Sequence, residues 1–517
     1  MIILVSILPI LALILCMMGF KLSGDKSALI ALIITIIIGV WVAPAMGFAP
    51  EGFTSDVVAW AVVEGALKAI FPILLIILMA IFSYNVLLES KQIEVIKSQF
   101  TDLSEDPRIR VLVLVWGFGG LLEGMAGFGT AVAIPAAILI GLGFKPGFSA
   151  LVSLLANSVA TGFGAVGVPV ITLANEVAGG AALPAQVQEI SADVVLQLSL
   201  LMFLIPYVIL FLTDRRAKAQ LYNIVLALIV GAVSLGVQYL AARYLGAETP
   251  AILGSIAAII VIVLFAKITE RGKKKKSTDE KKVKYTTGAI LRAWSVYGLI
   301  LLFVILASPL SGPIGEFLKT TAVTKIHLPI YAPDKFFKFG WLSNAALMLF
   351  LGAFLGGLIQ GVSFGRLMAV LGRTIVRLWK TTVTIISLIA MSSVMTYSGM
   401  ILVIANALAA ATGSLYPLFA PLIGAIGTFV TGSDTSSNIL FGKLQANVAH
   451  NIGVDTNWLA AANTAGATGG KIISPQSIAI ATAACKTDGT EGQILRSALP
   501  YALCYVIIAG IMVYALI

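Results

Sequence analysis

The sequence predicts an all-α polytopic membrane protein, with two inverted-topology repeats whose broken helices or re-entrant hairpins meet at the bilayer midplane. Three observations predict this fold class. Hydrophobic residues make up 59% of the 517 residues and charged residues only 11%, whereas soluble domains carry about 25% charged residues. Several apolar runs approach the length of about 20 residues that a spanning helix needs. Polar, glycine-rich segments interrupt these runs at matching positions of the two halves.

The charge distribution indicates the membrane as the main partner. The net charge of +10 lies mostly in short loops, where Lys and Arg mark cytoplasmic loops and contact anionic lipid. We therefore expect a lipid bilayer and no nucleic acid as a partner. The three cysteines, Cys16, Cys485 and Cys504, form no CxxC pair, so neither a metal nor a cofactor is expected. The spacing of a phosphate-binding loop is absent, which disfavours nucleotide hydrolysis.

Spans and basic loops alternate along the chain. The first apolar run, residues 2–20, lacks the charged start and cleavage pattern of a signal peptide, and we interpret it as an uncleaved span. Basic loops follow at Lys21 and Lys26, at Arg215 and Arg216, and at Lys273 to Lys276. The positive-inside rule places these loops in the cytoplasm and both termini outside. A plasma or inner membrane is the expected location.

We divide the chain into three parts. These are a first transmembrane repeat (1–216), a two-helix insert with a basic cytoplasmic loop (217–287) and a second transmembrane repeat (288–517). The two spans of the insert return the chain to the side it left. The first repeat therefore starts outside and the second starts inside, which is the opposite parity that an inverted-topology repeat requires.

A long or broken helix over residues 57–88 carries an acid and a base. Glu64 and Lys68 are four residues apart and share a helix face, so a local ion pair is favoured over a role in transport. The mixed stretch 89–110 predicts a helix on the inner membrane surface. Residues 308–339 form a long outer segment before the chain returns.

Four interrupted segments predict the site. They are residues 117–130 and 157–164 in the first half and residues 431–438 and 463–471 in the second. Paired interruptions at corresponding positions of two halves indicate the binding site of a transporter, because irregular backbone at membrane depth survives only around protein or a water-filled cavity. Two pairs of residues share a shift of 306 positions, Asn157 with Asn463 and Pro169 with Pro475. The glycines expected to form the loops are Gly124, Gly127, Gly129, Gly432, Gly469 and Gly470.

Two acids are the candidates for proton coupling. Glu123 and Asp434 lie in apolar surroundings, where an unpaired carboxylate costs several kcal/mol. Each is therefore expected either to be neutral, and so able to carry a proton, or to meet a cation. The structural alternatives are a hydrogen bond of Glu123 to its own turn and a capping role for Asp434 on a helix that begins near Thr435.

Lys471 is the candidate for binding a small carboxylate. Its ammonium group offers three donors, and the alternative is an ion pair with Glu123 or Asp434 that only stabilises the bundle. Helix N-termini beside the polar stretch also favour an anion. The remaining candidates for substrate binding are hydroxyl and amide side chains, namely Ser433, Thr435, Ser436, Asn438, Ser474, Gln476, Asn157, Thr161 and Asn463.

The same segments resemble the bacterial L-lactate permease family. The resemblance is carried by Leu122 to Thr130, Ala156 to Gly164, Thr431 to Asn438 and Gly470 to Ile478, and it extends over nearly the whole chain. Met125 stands where members often have a small residue. The resemblance implies a transporter of the bacterial plasma (inner) membrane, and not an enzyme, that takes up L-lactate, D-lactate or glycolate by proton symport. It also implies an elevator-type carrier that forms a homodimer.

Three other functions compete with proton symport. Sodium coupling is possible because unwound carbonyl groups and Asp434 would coordinate Na⁺. An integral membrane enzyme would need a nucleophile with its base or a metal cluster, and the two histidines of the chain supply neither. A passive channel would not accumulate its substrate against a gradient.

Overall fold

The computed structural model describes residues 1–20, 22–50, 53–101, 104–127, 129–270, 285–307, 311–331, 333, 336–487 and 490–517. Over these residues the chain is mostly helical, as predicted. Within them, seven helices have the length and apolar composition to cross a membrane, and the number rises to ten if each of three bent helix pairs is one span.

The first thirteen helices are α1 (Ile2–Ile14), α2 (Gly24–Ile37), α3 (Ala43–Ala45), α4 (Ser55–Lys68), α5 (Leu75–Glu89), α6 (Gln92–Thr101), α7 (Pro107–Leu112), α8 (Gly119–Met125), α9 (Thr130–Gly141), α10 (Pro146–Thr161), α11 (Gly164–Ala178), α12 (Pro184–Gln197) and α13 (Ser199–Thr213). Wider π-helical turns connect or extend some of them at Leu15–Gly19, Ile38–Val42, Ala69–Leu74 and Val113–Phe118.

The remaining elements are α14 (Gln220–Leu245), α15 (Pro250–Thr269), α16 (Thr287–Ala307), α17 (Pro313–Thr320), β1 (Val323–Ile326), β2 (Phe337–Gly340), α18 (Ala345–Ile359), α19 (Phe364–Arg377), α20 (Trp379–Tyr397), α21 (Met400–Thr412), α22 (Tyr416–Thr431), α23 (Asp434–Ile452), α24 (Thr456–Lys471), α25 (Pro475–Ala484) and α26 (Glu491–Ala515). Short 3₁₀ turns precede α14 and α22 at Ala217–Ala219 and Gly413–Leu415.

One part of the predicted outer segment is not helical. Strands β1 and β2 form an antiparallel hairpin in which Val323 pairs with Gly340 and Lys325 with Lys338. The expectation of an all-α chain is therefore wrong at this point. Buried Phe337 and Phe339 alternate with exposed Lys338, a period of two that fits a strand with one buried face.

The broken helix around Glu64 and Lys68 is confirmed. Lys68 Nζ lies 3.0 Å from Glu64 Oε1, the predicted local ion pair. Phe71 leaves the helical region (φ −119°, ψ 108°) and separates α4 from α5. Phe71 precedes a proline in the sequence, and a residue before proline disfavours the helical conformation.

The second halves of the two predicted repeats share their order of elements. Shifting the chain by the predicted 306 residues places Ala126, after α8, on Gly432, after α22. In both halves a helix is interrupted and continues (α8 and α9, α22 and α23). The chain then reverses direction, and the returning helix is interrupted in turn (α10 and α11, α24 and α25). The halves also interlock, because α11 packs against α23 and α9 packs against α25. The inverted orientation of the halves and the three-part division of the chain stay predictions.

The insert contains the two expected helices, α14 and α15, which pack against each other. The basic run Lys273 to Lys276 lies outside the described residues, as do Lys281, Lys282, Lys284, Lys21 and Gly52. The stretch 89–110 contains helix α6, and its place on the inner membrane surface stays a prediction.

Glycines allow the helices of the second half to approach closely. A Cβ at Gly466 of α24 would overlap the Pro421 carbonyl oxygen of α22, and a Cβ at Gly470 would overlap that of Ala425. Small residues of this kind let helix backbones come together where lipid provides no hydrophobic driving force. α22 and α24 are consequently closely packed beside the breaks at their ends.

Candidate functional site

Four helix breaks of the two halves converge in the protein interior. The start of α11 meets Glu123, because a Cβ at Gly164 would lie 2.6 Å from Glu123 Oε1. A Cβ at Gly129, the N-cap of α9, would lie 2.5 Å from Ile480 of α25. A Cβ at Gly432 would overlap the Gln476 side chain at the start of α25. The structure thus brings the interrupted segments together, as the sequence predicts.

The break between α10 and α11 has unusual backbone geometry. Ala165, Val166 and Gly167 all lie in the left-handed region, with φ of 46°, 57° and 79°. A left-handed conformation is strained for a β-branched residue such as Val166. Residues held in such conformations cluster at ligand-binding and switching segments. This strained turn lies beside Glu123.

Glu123 is buried in α8, with 3% of its surface exposed. Its Oε2 atom has no hydrogen-bond partner among the described residues. The Asn157 amide from α10 lies beside the carboxyl group, but within the described chain neither of its polar atoms completes a hydrogen bond. The predicted structural alternative, a hydrogen bond of Glu123 to its own turn, is therefore not seen at Oε2.

Asp434 is the first residue of α23 and is 2% exposed. The expectation that it caps this helix is wrong, since Ser433 is the N-cap and its Oγ accepts a hydrogen bond from the Ser436 N–H at 3.2 Å. Both carboxyl oxygens of Asp434 lack a hydrogen-bond partner in the part of the chain that the structure describes. The Thr161 and Thr428 hydroxyl groups lie beside them.

Lys471 ends α24 and reaches the break between α22 and α23. Its Nζ donates a hydrogen bond to the Gly432 carbonyl oxygen at 3.1 Å. Lys471 also interacts electrostatically with both Glu123 and Asp434, but it forms no ion pair within 4 Å in the described chain. Within the described residues its ammonium group is therefore held by one neutral acceptor, while its charge acts on two buried acids.

The formal charge of this group of residues is unbalanced. Two carboxylates and one ammonium would leave one net negative charge in a buried place. An uncompensated buried charge is costly unless it is protonated or paired. The arrangement therefore favours binding of a proton, or of another cation, at Glu123 or Asp434.

The asparagines of the second half have a structural role instead. Asn438 Nδ2 donates to the Pro169 carbonyl oxygen at 2.9 Å and to Thr464 Oγ1 at 2.8 Å. Its Oδ1 accepts from Asn463 Nδ2 at 2.9 Å, and Asn463 Oδ1 accepts from Gln445 Nε2 at 3.3 Å. Since these buried amides are already satisfied, their predicted contact with substrate is not supported by the geometry.

The other predicted residues lie around the breaks. Ser474 is the N-cap of α25 and accepts a hydrogen bond from the Ser477 N–H at 3.2 Å. Thr435 and Ser436 lie in the first turn of α23, and Thr161 is the last residue of α10. Gln476 is exposed, and part of its side chain contacts Gly432.

Three of the predicted loop glycines are helical. Gly124 lies inside α8, and Gly469 and Gly470 lie inside α24. Their absent side chains permit helix packing, not a turn. Gly127, Gly129 and Gly432 have φ of 62°, 82° and 73° and do form the turns at the breaks, because glycine adopts positive φ without a steric cost.

Sequence reasoning missed two buried groups at the site. Thr428 lies one turn before Gly432, and its hydroxyl has no partner in the described structure. Tyr505 of α26 is 1% exposed, and its hydroxyl lies 2.9 Å from Thr468 Oγ1. A hydroxyl residue one helical turn before a glycine break was the available signal for Thr428, whereas Tyr505 reaches the site only through the tertiary fold.

Comparison with known proteins gives consistent similarities. The family model described as L-lactate permease matches residues 2–517. An L-lactate permease of Streptococcus iniae is 42% identical over 88% of this chain and 92% of its own length. The glycolate permease GlcA of Escherichia coli is 33% identical over 98% and 94%. The crystal structure of the Alcanivorax borkumensis YdaH transporter has a similar fold, with a TM-score of 0.54, 12% identity and coverage of 94% and 98%.

Proposed function

Because this chain belongs to the L-lactate permease family, we propose that it is a secondary active transporter of L-lactate and the related 2-hydroxy monocarboxylates D-lactate and glycolate, working by proton symport. It is a multi-pass membrane protein of a family of bacterial permeases. Relatives named for L-lactate and for glycolate support this substrate class, since both acids carry a hydroxyl beside the carboxylate.

The observation that carries the proposal is the position of Lys471. Its only described acceptor is the Gly432 carbonyl oxygen, 3.1 Å from Nζ, and a carboxylate is a stronger acceptor for an ammonium group than a neutral carbonyl. A substrate carboxylate would take this place. α23 begins two residues after Gly432, and Gln476 in the first turn of α25 contacts Gly432. The positive ends of both helix dipoles would favour an anion there.

The amide and hydroxyl groups of the first half would bind the substrate hydroxyl. Asn157 is 2% exposed and has unused donor and acceptor atoms within the described chain. Thr161 Oγ1 donates to the Ser158 carbonyl oxygen at 2.6 Å, which leaves its lone pairs available as acceptors. A buried amide with no partner rejects ligands that cannot satisfy it.

Glu123 and Asp434 would carry the proton. The empty group of two acids and one lysine has one net negative charge. Binding of a monocarboxylate together with one proton leaves that charge unchanged. The loaded and empty transporters would then meet similar electrostatic costs during the crossing of the membrane, whereas a carboxylate without a proton would add a second buried negative charge.

Uptake by proteoliposomes tests the proposal. Purified protein should accumulate labelled L-lactate when the outside is made acidic, and unlabelled glycolate and D-lactate should compete. Acetate, which lacks the hydroxyl, should compete less. Uptake that is saturable but indifferent to an imposed pH gradient would exclude proton symport, and non-saturable equilibration would indicate a channel.

Sodium coupling is the second outcome of the same assay. The two Asp434 oxygens, which have no hydrogen-bond partner among the described residues, and the Gly432 carbonyl group would supply oxygen ligands to Na⁺. In that case a sodium gradient at equal pH on both sides would drive accumulation. Proton symport requires the opposite result, with no accumulation under the sodium gradient alone.

Two further features belong to the proposal. The basic loops support termini on the outside of the cell, and family resemblance supports a homodimer. Labelling of a cysteine introduced at position 517 by a membrane-impermeant reagent tests the first, in a background with Cys504 replaced by Ser. Light scattering of the purified protein tests the second.

A further inference from the structure

Helix α19 lies where the ends of three apolar helices meet. Gln360, the C-cap of α18, accepts a hydrogen bond from Ser90 Oγ at 2.7 Å, and Ser90 is the C-cap of α5. The Gln360 amide also donates to the carbonyl oxygen of Arg292, near the start of α16, at 3.3 Å. Because α5 and α16 belong to helices long and apolar enough to cross a membrane, these ends mark one edge of the bilayer. α19 begins four residues after Gln360, at that edge.

One face of α19 packs on the protein. Its buried residues are three or four positions apart, as expected for one side of a helix; they are Leu367, Val370, Thr374 and Leu378, the last being the C-cap. Thr374 Oγ1 accepts from Asn85 Nδ2 of α5 at 2.9 Å. A Cβ at Gly357 of α18 would lie 2.7 Å from the Leu367 side chain. α19 is therefore held along the ends of α5 and α18.

The exposed surface of α19 carries two stripes. The apolar stripe is between 43% and 68% exposed and consists of Phe364, Met368, Ile375 and Trp379. The basic stripe is also exposed and consists of Arg366, Arg373, Arg377 and Lys380. Within each stripe the spacings are three, four or seven residues, which keeps its members on one face. Ile375 and Arg377 are two positions apart, so the stripes lie about 160° apart around the helix axis.

Length and charge distinguish α19 from the spans. Its 14 residues measure about 21 Å, less than the roughly 30 Å of the hydrocarbon core. Three of them are arginines, and charged side chains at the bilayer centre are costly. The bend of 52° at Leu378 turns it away from α20, which has 19 residues. Opposed apolar and basic stripes on such a helix fit the membrane interface, with the apolar side toward the acyl chains.

Two charges of the basic stripe are not neutralised by the protein. Arg373 pairs with Glu89 at 3.0 Å, and Lys380 interacts electrostatically with Asp25. Arg366 and Arg377 form no ion pair within 4 Å among the described residues. A guanidinium group offers paired donors to phosphate oxygens. The stripe is therefore complementary to anionic lipid headgroups.

We propose that α19 is an interfacial helix that selectively binds anionic phospholipids, with their headgroups on Arg366 and Arg377 and their acyl chains against the apolar stripe. The two arginines are eleven positions apart, or about 16 Å along the axis, so each holds a headgroup of its own. This inference is independent of the substrate that the protein carries.

Trp379 is a native reporter for lipid at the apolar stripe, where it is 68% exposed. The full-length protein would be placed in phosphatidylcholine nanodiscs that contain a fixed fraction of lipid with brominated acyl chains, which quench tryptophan on contact. The difference between the wild type and Trp379→Phe isolates the signal of Trp379. Brominated phosphatidylglycerol should quench this signal more than brominated phosphatidylcholine at the same mole fraction.

Substitution of both arginines tests their role. A basic side chain at an anionic surface contributes about fivefold to binding, so Arg366→Gln with Arg377→Gln should lower the preference for phosphatidylglycerol about fivefold or more. Quenching by brominated phosphatidylcholine should persist, which shows that the helix is still in place. Replacing both arginines by Lys should retain most of the preference.

The matched control removes two charges elsewhere. Lys145, the exposed N-cap of α10, and Arg496, exposed on α26, are both changed to Gln. This variant has the same net charge as the double arginine variant and should keep the wild-type preference.

Four results would overturn the proposal. Equal quenching of the wild type by the two brominated lipids would show no selectivity. Absence of quenching by either lipid would show that protein, such as a second copy of the chain, covers the apolar stripe. An equal loss of preference in the control variant would remove Arg366 and Arg377 as the cause. Loss of the preference on adding sodium phosphate at constant ionic strength would assign the arginines to a free anion.

Discussion

The Lys471 ammonium group and the Gly432 carbonyl oxygen, 3.1 Å apart, join the end of α24 to the break between α22 and α23. Gly432 has a φ of 73°, so its carbonyl group points away from the helix it terminates. In the proposed function, a substrate carboxylate that displaced this carbonyl oxygen would free the turn as it gained the lysine. Binding would thereby be linked to movement of the break.

The first prediction concerns Lys471→Gln. Loss of a charged hydrogen bond to the substrate should cost about 1.5 to 3 kcal/mol, or roughly tenfold to a hundredfold in the KM for L-lactate. Uptake kinetics in proteoliposomes measure it. Lys145→Gln is the control, since Lys145 is exposed at the start of α10. An unchanged KM in the Lys471→Gln protein would remove Lys471 from the site.

The second prediction concerns the acids. Glu123→Gln and Asp434→Asn imitate the protonated side chains, so the residue that couples transport should retain exchange of labelled lactate across the membrane but lose accumulation. With one proton per lactate, the wild type should reach about tenfold accumulation at a gradient of one pH unit. Glu316→Gln, at an exposed position of α17, should behave as wild type.

Retained accumulation in both variants would contradict proton coupling by these acids. Loss of exchange as well as accumulation would instead assign the altered acid to substrate binding. Measuring exchange and accumulation in the same vesicles distinguishes a role in proton coupling from a role in substrate binding.

The third prediction concerns the space beside Glu123. Gly164→Ala would place a Cβ 2.6 Å from Glu123 Oε1, so the carboxyl group must move. Uptake should fall by about tenfold or more, because small displacements of a reacting group have large effects on rate. Gly236→Ala, at an open position of α14, should leave uptake unchanged. Equal uptake by the two variants would show that the position of Glu123 is unimportant.

The fourth prediction concerns the α22–α24 pair. Gly466→Ala would force a Cβ into the Pro421 carbonyl oxygen, and overpacking of this kind costs about 1 to 3 kcal/mol of stability. Thermal unfolding followed by circular dichroism in detergent measures the loss. Gly298→Ala places its methyl group in open space on α16 and should not lower the melting temperature.

The fifth prediction separates structure from binding at Asn438. Asn438→Leu leaves Asn463, Thr464 and the Pro169 carbonyl without their buried partner, which should cost about 1 to 3 kcal/mol of stability. The KM of the surviving protein should be unchanged. Asn451→Leu, which alters an exposed amide pair with Asn406, is the control. Normal unfolding with a raised KM would restore a substrate contact for Asn438.

The sequence was sufficient for the helical membrane fold and for the convergence of the four interrupted segments. In a bilayer, an apolar run of about 20 residues satisfies its backbone hydrogen bonds by forming a helix. Glycines such as Gly432 mark the breaks between helices directly. It was insufficient for the roles of individual polar residues. Asn157 and Asn463 share the predicted shift of 306 positions, yet of the two only Asn463 is hydrogen-bonded in the described structure.

The hairpin was missed for a different reason. Its strands are four residues each, and their alternation is too short to distinguish from a loop. Likewise, Gly469 and Gly470 carry the composition of a turn but serve contact between helices. Glycine is compatible with a turn and with close contact between helices. Only the residue that faces it in the folded structure shows which of the two roles it has.

The Asn438 amide and the Pro169 carbonyl group join the two halves of the chain, 269 positions apart. If one half moved away from the other, this hydrogen bond and those of the buried amide cluster would break. Water would not be available at that depth to form hydrogen bonds in their place. The two halves of the site should therefore travel as one block.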